Sequence, residues 1–314
     1  MRRSLALALF LFLAAAFTAR AAQHGAWRLT ARDDGRMQID LVSDHNHNSH
    51  PIERAAFTGL TAAQIDARTD TPVDFRLVRD AGSIHFTGNF VNGDGVGRFV
   101  FEPNASYAAT LRGLGVASSD LDDDRLYALA LHDVSAAFIR EMQSLGYRED
   151  LDQYIAFRIH GATPQYVREI NALGYKPDAD KLVAFRIHGA TTQFIRDMRA
   201  LGYQPDADDL VAFRIHGVSP EFIKGMKELG VRDLESDNLV ALRIHGASVD
   251  YVRELRDLGY PNLRADQLVA MKIHGVSTSF IRDLKSAGYA NVPVEKLVSM
   301  KIHGIDAEFV RKTK

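Results

Sequence analysis

The sequence predicts an α+β fold, in which a small N-terminal antiparallel β domain is followed by an α-solenoid of two-helix repeats. Two observations lead to this prediction. Short segments of alternating character, separated by Asp-Gly and similar turns, fill the chain up to about residue 103. A phrase with a fixed period of about 28 residues fills the rest, and such a period marks a repeat array. The predicted limits are residues 1–21 for a signal peptide, 22–103 for the β domain and 104–314 for the array.

The beginning of the chain has the pattern of a secretory signal peptide. Met1-Arg2-Arg3 supplies positive charge, residues 4–18 are apolar or small, and Ala19-Arg20-Ala21 is a small-x-small cleavage sequence. We expect cleavage after Ala21 and a periplasmic or secreted protein. The alternative is an uncleaved membrane anchor, although the apolar stretch is shorter than the roughly 20 residues that span a bilayer. No later segment is apolar enough to span a membrane after cleavage.

The composition excludes several classes of site. The chain of 314 residues contains no cysteine, so disulfides, thiolate metal sites and cysteine nucleophiles are excluded. Its formal net charge is −2, from 38 basic and 40 acidic residues, without a long block of one charge that would indicate nucleic acid as a partner. The sequence also lacks the motifs of zinc peptidases, serine hydrolases and phosphate-binding loops. We therefore expect no cofactor and no enzymatic activity.

The β domain is predicted from alternation and turn residues. Asp33-Asp34-Gly35 and Asp80-Ala81-Gly82 each separate two alternating segments, which predicts two hairpins. The glycine-rich residues 93–97 are expected to form a hairpin loop before the last strand. About four to six strands are expected in total. Those identified are Trp27–Ala31, Met37–Val42, Val73–Val78, Ile84–Gly88 and Gly97–Glu102.

One segment of the β domain is dense in histidine. His45, His47 and His50 fall within six residues, and Asp44 precedes them. Imidazoles at these spacings can converge on a metal ion if the segment curls. This pattern makes a metal-binding site, or an enzyme site that uses the metal, the alternative function of the protein. A polar loop between strands is the other interpretation.

The array is defined by a histidine that recurs at separations of 28, 28, 28, 29, 29 and 29 residues. The histidines of this column are His132, His160, His188, His216, His245, His274 and His303. Asp133 follows the first of them, and the glycines that follow the other six are Gly161, Gly189, Gly217, Gly246, Gly275 and Gly304. A half-repeat followed by about seven repeats is expected. In one repeat we expect Asp180 to cap the first helix, Gly189 to end it in the left-handed conformation and Thr191 to cap the second helix, with Asp208 capping the next repeat.

The histidine column is interpreted as structural. At the end of the first helix an imidazole can bond exposed carbonyl groups. A shared metal is disfavoured, because ligands of one ion lie within a few ångströms of each other whereas packed helices are about 8–10 Å apart. A pH-responsive array is the remaining alternative.

Two basic columns accompany the histidines. The tentative binding column, two residues before them, is Arg158, Arg186, Arg214, Arg243, Lys272 and Lys301; the other is Arg140, Arg168, Arg196, Lys224, Arg253, Arg282 and Arg311. One interpretation is a cationic ladder that receives an acidic or extended ligand. The alternative is a solvated face with ion pairs between neighbouring repeats, each of which contributes little to stability.

The repeats resemble a helical repeat of exported or membrane-linked bacterial proteins of unknown function. Some of those proteins are described together with a BlaR-type sensor metallopeptidase. The likeness lies in Leu-Val-Ala-Phe-Arg-Ile-His-Gly at 182–189 and Phe-Ile-Arg-Asp-Met-Arg-Ala-Leu-Gly-Tyr at 194–203, and in residues 79–82 and 99–103 of the β domain. The zinc motif and the membrane helices of the peptidase are missing, so the resemblance implies an accessory or sensory part. We therefore expect a non-enzymatic interaction protein with a protein or peptide partner.

Overall fold

The computed structural model describes residues 23–43, 47–117 and 121–312. The predicted signal peptide and His45 lie outside these ranges. The predicted fold class is confirmed: an antiparallel β-sheet is followed by helices that pair into repeats. Within the described ranges, every helix is too short or too polar to cross a membrane.

Seven antiparallel strands form one sheet in the order β3-β2-β1-β7-β6-β5-β4, so the first strand pairs with the last. The predicted hairpins β1–β2 and β5–β6 are confirmed. A short 3-10 turn at Arg54–Ala56 and helix α1 (Ala62–Ile65) flank β4. The strands are β1 (His24–Ala31), β2 (Met37–Val42), β3 (His47–Ile52), β4 (Phe57–Thr58), β5 (Thr71–Arg79), β6 (Gly82–Val91) and β7 (Asp94–Pro103).

Two parts of the sheet differ from the sequence-based expectation. The glycine-rich segment 93–97 is not a loop, because β7 begins at Asp94 and the turn consists of Asn92 and Gly93, whose φ angles are 49° and 86°. Positive φ at both positions gives the tight turn that matches strand twist. The histidine-rich segment His47–Ile52 is a strand that pairs with β2, so the described residues contain seven strands instead of the predicted four to six.

Aromatic side chains fill one face of the sheet. Phe75 and Phe86 stack with ring centroids 4.8 Å apart, and Trp27 meets Phe75 edge to face at 5.3 Å. Gly88 and Gly97 make room for the indole, because a Cβ atom on either would lie less than 3 Å from it. Burying these large rings stabilises the sheet by about 1.5–3 kcal/mol per side chain.

Helices follow the last strand from residue 107 onward. Helix α2 is the predicted half-repeat, and seven pairs follow it, each a first and a second helix. The helices are α2 (Tyr107–Gly113), α3 (Asp123–Leu131), α4 (Ala136–Ser144), α5 (Leu151–His160), α6 (Pro164–Ala172), α7 (Ala179–His188), α8 (Thr192–Ala200), α9 (Ala207–His216), α10 (Pro220–Glu228), α11 (Ser236–Ile244), α12 (Val249–Asp257), α13 (Ala265–Ile273), α14 (Thr278–Ser286), α15 (Val294–Ile302) and α16 (Ala307–Lys312).

The predicted starts of the first helices are wrong by two residues. Asp178, not Asp180, caps α7, because its carboxylate accepts the amide of Lys181 at 2.8 Å. Asp206, not Asp208, caps α9 in the same way. Ala179 and Ala207 enter the helix readily, so the cap moves to the preceding aspartate. The later aspartates lie in the first turn, where negative charge favours the helix N-terminus.

The predicted end of the first helix and the start of the second are confirmed. Gly189 has φ of 72°, and the Ala190 amide donates to the Phe185 carbonyl at 2.8 Å, as in a Schellman motif. The Thr191 hydroxyl then accepts the Phe194 amide at 3.1 Å and caps α8.

The described chain forms two compact units. One comprises the described residues of Met1–Glu141 together with Asp150–Ile155, and the other Met142–Glu149 with Ala156–Lys314. In the second unit, first helices pack on first helices from α7 to α15, and second helices pack on second helices from α8 to α16. This is the stacking of a solenoid, in which each repeat contacts its neighbours. The domain limit at residue 103 stays a prediction.

Candidate interaction surface of the repeat array

The basic column on the first helices joins consecutive repeats. The Nε atoms of Arg186, Arg214 and Arg243 donate to the carbonyl oxygens of His160, His188 and His216, over 3.2, 3.1 and 3.3 Å. Each acceptor belongs to the repeat before the arginine. These carbonyls lie in the last turn of a helix, where no intrahelical donor remains and a cation is favoured. We call this contact the carbonyl clamp.

Aromatic rings of the preceding repeat complete the clamp. The guanidinium carbons of Arg186, Arg214 and Arg243 lie 4.7, 4.9 and 5.0 Å from the ring centroids of Tyr166, Phe194 and Phe222. Lys272 and Lys301 cover equivalent rings at 4.7 and 5.1 Å. The guanidinium also lies against the left-handed glycine of the same turn, since a Cβ on Gly189 would be 3.2 Å from Nη2 of Arg214. Within the described residues, these three arginines therefore contact carbonyls and rings, not the carboxylates of the ion-pair interpretation.

A second set of cations does the same for the second helices, and the sequence analysis missed it. Arg199 donates to the Leu173 carbonyl at 2.5 Å and covers Tyr175 at 5.3 Å. Lys227 donates to the Leu201 carbonyl at 2.8 Å. The available signal was a basic residue two positions before the Leu-Gly pair, as in Arg199-Ala200-Leu201-Gly202 and Lys227-Glu228-Leu229-Gly230.

Tyrosine hydroxyls link successive connecting segments. Tyr147 and Tyr175 donate to the carbonyls of Pro177 and Pro205, over 2.8 and 2.6 Å. Burial raises the pKa of Tyr147 to about 12, because the ionised phenolate would lose solvation. Where Val231 replaces the tyrosine, backbone hydrogen bonds between Arg232 and the segment around Leu263 join the two connections.

The second predicted basic column lies on the second helices and is largely exposed. Arg282 pairs with Glu254 of the preceding repeat at 3.3 Å, Arg253 pairs with Asp250 of its own helix, and Lys224 lies 3.9 Å from Glu228. Exposed pairs of this kind contribute about 0–1 kcal/mol each. This column therefore fits the interpretation as a solvated face.

Six isoleucines form an exposed column that the sequence analysis did not anticipate. Each follows a member of the tentative binding column, and 53–56% of its surface is exposed. They are Ile159, Ile187, Ile215, Ile244, Ile273 and Ile302, and we call them the isoleucine ladder. In the sequence, Ile187 belongs to the same apolar stretch as the buried Leu182 and Phe185. The signal was that the apolar residues of a first helix, Leu182, Val183, Phe185 and Ile187 in α7, are spread over more than one face of the helix.

Further columns border the ladder on the same helix face. Three and four residues before each isoleucine from Ile187 to Ile302 lie half-buried small or apolar side chains, such as Ala184 and Val183 beside Ile187. Seven residues before it lies an exposed carboxylate, Asp180 in this repeat. Positions at these spacings share a face of a helix. The first helices thus present an acidic column, an apolar column and then a cationic column.

The histidine column lies on the far side of the ladder from the carboxylates. Its backbone carbonyls at His160, His188 and His216 accept the clamp, so arginine fulfils the role that was expected of imidazole. Among the described residues, no group of three His, Asp or Glu side chains is arranged to hold a metal ion.

The histidine-rich segment places its described members apart. His47 and His50 lie three positions apart on β3, and successive strand residues alternate between faces, so the two imidazoles point to opposite sides. The His50 ring lies 5.8 Å from that of His132, centroid to centroid. Burial lowers the pKa of His50, against a smaller opposing effect of Asp40. His45 lies outside the described residues, and the metal site stays a prediction.

Comparison with known proteins adds no relative to this description. No protein-family model, curated protein or solved structure matches the chain.

Proposed function

We propose that this protein is an exported, non-enzymatic interaction protein that binds a protein partner on the isoleucine ladder. The observation that carries the proposal is the repeated exposure of a large apolar side chain at one position of six consecutive repeats. Single exposed apolar residues are common on protein surfaces, but contiguous apolar surface with a polar rim is typical of interaction sites. Here the rim consists of the carboxylate column on one side and the cationic and histidine columns on the other.

The stability of the fold does not require an isoleucine at the ladder positions. Leu182 and Phe185 of α7 are fully buried and form its packing face, so Ile187 adds little to the packing of its own repeat. Covering a half-exposed isoleucine with a ligand would contribute on the order of 1 kcal/mol to the free energy of binding. The six isoleucines, which are the rungs of the ladder, can bind one ligand together. Repeat arrays present extended surfaces that suit such ligands.

Export and a sensory role complete the proposal. They rest on the signal-peptide pattern of residues 1–21 and on the resemblance of the repeats to those of exported bacterial proteins. N-terminal sequencing of the mature protein tests export. Retention of Met1 would contradict it, whereas a new terminus at Ala22 would support cleavage after Ala21.

A displayed library of random peptides tests binding. The library is selected on the full chain and then on a triple variant, Ile187→Gln, Ile215→Gln and Ile244→Gln, which keeps helix-forming residues in place. We expect enriched peptides that bind the wild-type protein and lose binding to the variant. Peptides that bind both proteins equally, or the lack of any enriched peptide, would contradict the proposed function.

A matched control separates the ladder from exposed apolar surface in general. Val78, Val96 and Val100 are 55, 58 and 43% exposed on the sheet. The triple variant Val78→Thr, Val96→Thr and Val100→Thr removes comparable apolar surface and keeps β-branched residues in the strands. Peptides specific for the ladder retain their affinity for this control.

A further inference from the structure

We infer that the ladder binds an extended polypeptide segment in the polyproline II conformation, with an apolar residue at every third position and an acidic residue beside it. This inference rests on the proposed function and adds the chemistry and conformation of the partner. It follows from the spacing of the rungs, from the anchoring of the adjacent cations and from the order of the columns.

The spacing of the rungs selects the conformation. Consecutive first helices from α7 to α15 pack against each other, and packed helices are about 8–10 Å apart. A polyproline II helix rises about 3.1 Å per residue with three residues per turn, so every third side chain faces the same way about 9.3 Å further on. A β-strand alternates faces with every residue, so its every third side chain points away. A bound α-helix uses anchors at i, i+3, i+4 and i+7, and the anchors at i+3 and i+4 lie only about 4.5–6 Å along the axis from i, so they would fall between two ladder isoleucines.

The cations beside the ladder favour a ligand that carries negative charge. In Arg186, Arg214 and Arg243, the clamp holds Nε, whereas the Nη atoms make no hydrogen bond within the described residues. All three side chains are exposed. Each guanidinium is fixed over a ring, so little side-chain freedom remains to be lost when its Nη atoms bind a carboxylate. The clamp and ligand binding therefore use different atoms of one side chain.

The order of the columns sets the pattern of the ligand. The cation directly precedes the ladder isoleucine in sequence, as Arg214 precedes Ile215. An acidic residue directly beside the apolar one in the ligand would reach it. The carboxylate column lies two helical turns away on the other side, where it repels an acidic residue that approaches in the reverse orientation. The third position of each triplet faces solvent and accepts proline, which favours polyproline II.

Synthetic peptides of repeated Leu-Glu-Pro test the inference by fluorescence anisotropy with the full chain. Peptides of two, four and six triplets should gain at least about tenfold in affinity with each added pair of triplets, because further rungs are engaged in one complex. The triple Gln variant should lose at least about a hundredfold in affinity for the longest peptide. The valine control should bind it as the wild type does.

Two peptides of altered pattern act as register and charge controls. Repeated Leu-Glu-Pro-Pro has a period of about 12 Å, which falls out of step with the rungs. Repeated Leu-Lys-Pro reverses the charge. We expect neither to gain affinity with length, and we expect salt to weaken the Leu-Glu-Pro complex.

Equal binding of the three-residue and four-residue periods would overturn the inference, as would binding of Leu-Glu-Pro peptides that the triple Gln variant does not affect. A failure of all three peptides has the same meaning. The peptide library distinguishes this failure from that of the proposed function. Library peptides that require the ladder but lack the three-residue pattern would support the proposed function and contradict the inferred polyproline II ligand.

Discussion

Replacing Arg214 with lysine isolates the hydrogen bond of the carbonyl clamp. The chain contains the comparison already, because Lys272 and Lys301 cover rings at the positions equivalent to those that the arginines cover. Within the described residues, however, their amines donate no hydrogen bond to the preceding carbonyl. Arg214→Lys therefore keeps the cation over Phe194 and near the helix end and loses the donor to His188. Arg214→Gln loses the cation as well.

The magnitudes follow from these contacts. A hydrogen bond that involves a charged group contributes about 1.5–3 kcal/mol, and exposure of this one brings the expected cost of Arg214→Lys to about 1 kcal/mol. An exposed cation–ring contact adds about 0.5–1 kcal/mol and the helix end about 0.3–1 kcal/mol. Arg214→Gln should therefore cost about 2 kcal/mol. The reverse change, Lys272→Arg, should stabilise the protein by up to about 1 kcal/mol.

Native-state hydrogen exchange of the amides in α7 and α9 measures these costs at the junction itself, without the assumption that the whole array unfolds in one step. A loss of 1 kcal/mol speeds exchange about fivefold. Arg196→Gln is the control, because the side chain of Arg196 is exposed on α8 and makes no hydrogen bond or ion pair within the described residues. The clamp is refuted if Arg214→Gln changes exchange no more than Arg196→Gln does.

Three further predictions concern helix ends, pH and modularity. Gly189→Ala should lower the unfolding free energy by more than Gly202→Ala does. Both changes place a side chain at positive φ, which costs about 1–2 kcal/mol, but only a Cβ at position 189 would also meet a guanidinium nitrogen, that of Arg214, at 3.2 Å. Equal losses of unfolding free energy in urea denaturation would contradict this. The lowered pKa of His50 means that the unfolded state binds more protons, so stability should fall as the pH decreases below about 6.5 towards the folded-state pKa. His50→Gln should flatten that pH dependence of thermal unfolding, and an unchanged slope would exclude His50 as its source. Deletion of residues 182–209 should leave a folded array by circular dichroism, because Arg214 then takes the position of Arg186 against His160; loss of the helical signal would argue against modular packing.

Local rules made the array predictable. Gly189 in the left-handed conformation and Thr191 as a cap depend on residues within one turn, and the recurring histidine set the period. The start of the first helix was misplaced because Asp178 and Asp180 both suit a cap, and only the backbone decides between them. The strand at His47–Ile52 was missed because its polar residues show little alternation, and pairing with β2 fixes it.

The candidate surface was less predictable for a different reason. Apolar periodicity identifies residues that avoid water, and it does not distinguish those that pack within the chain from those that await a partner. In the sequence, Ile187 is therefore indistinguishable from a core residue such as Phe185. The role of Arg214 was hidden because its acceptor is a backbone carbonyl 26 residues earlier, and any residue type supplies a carbonyl.

The carbonyl clamp makes the completion of each repeat depend on the order in which the repeats are synthesised. Each clamp arginine acts on the repeat that precedes it, so the first helix of one repeat is completed only when the next repeat has been synthesised. At about 5–20 residues per second on the ribosome, a period of 28 residues means a wait of roughly one and a half to six seconds. During translation, the most recently folded repeat therefore carries an unclamped helix end until its successor emerges.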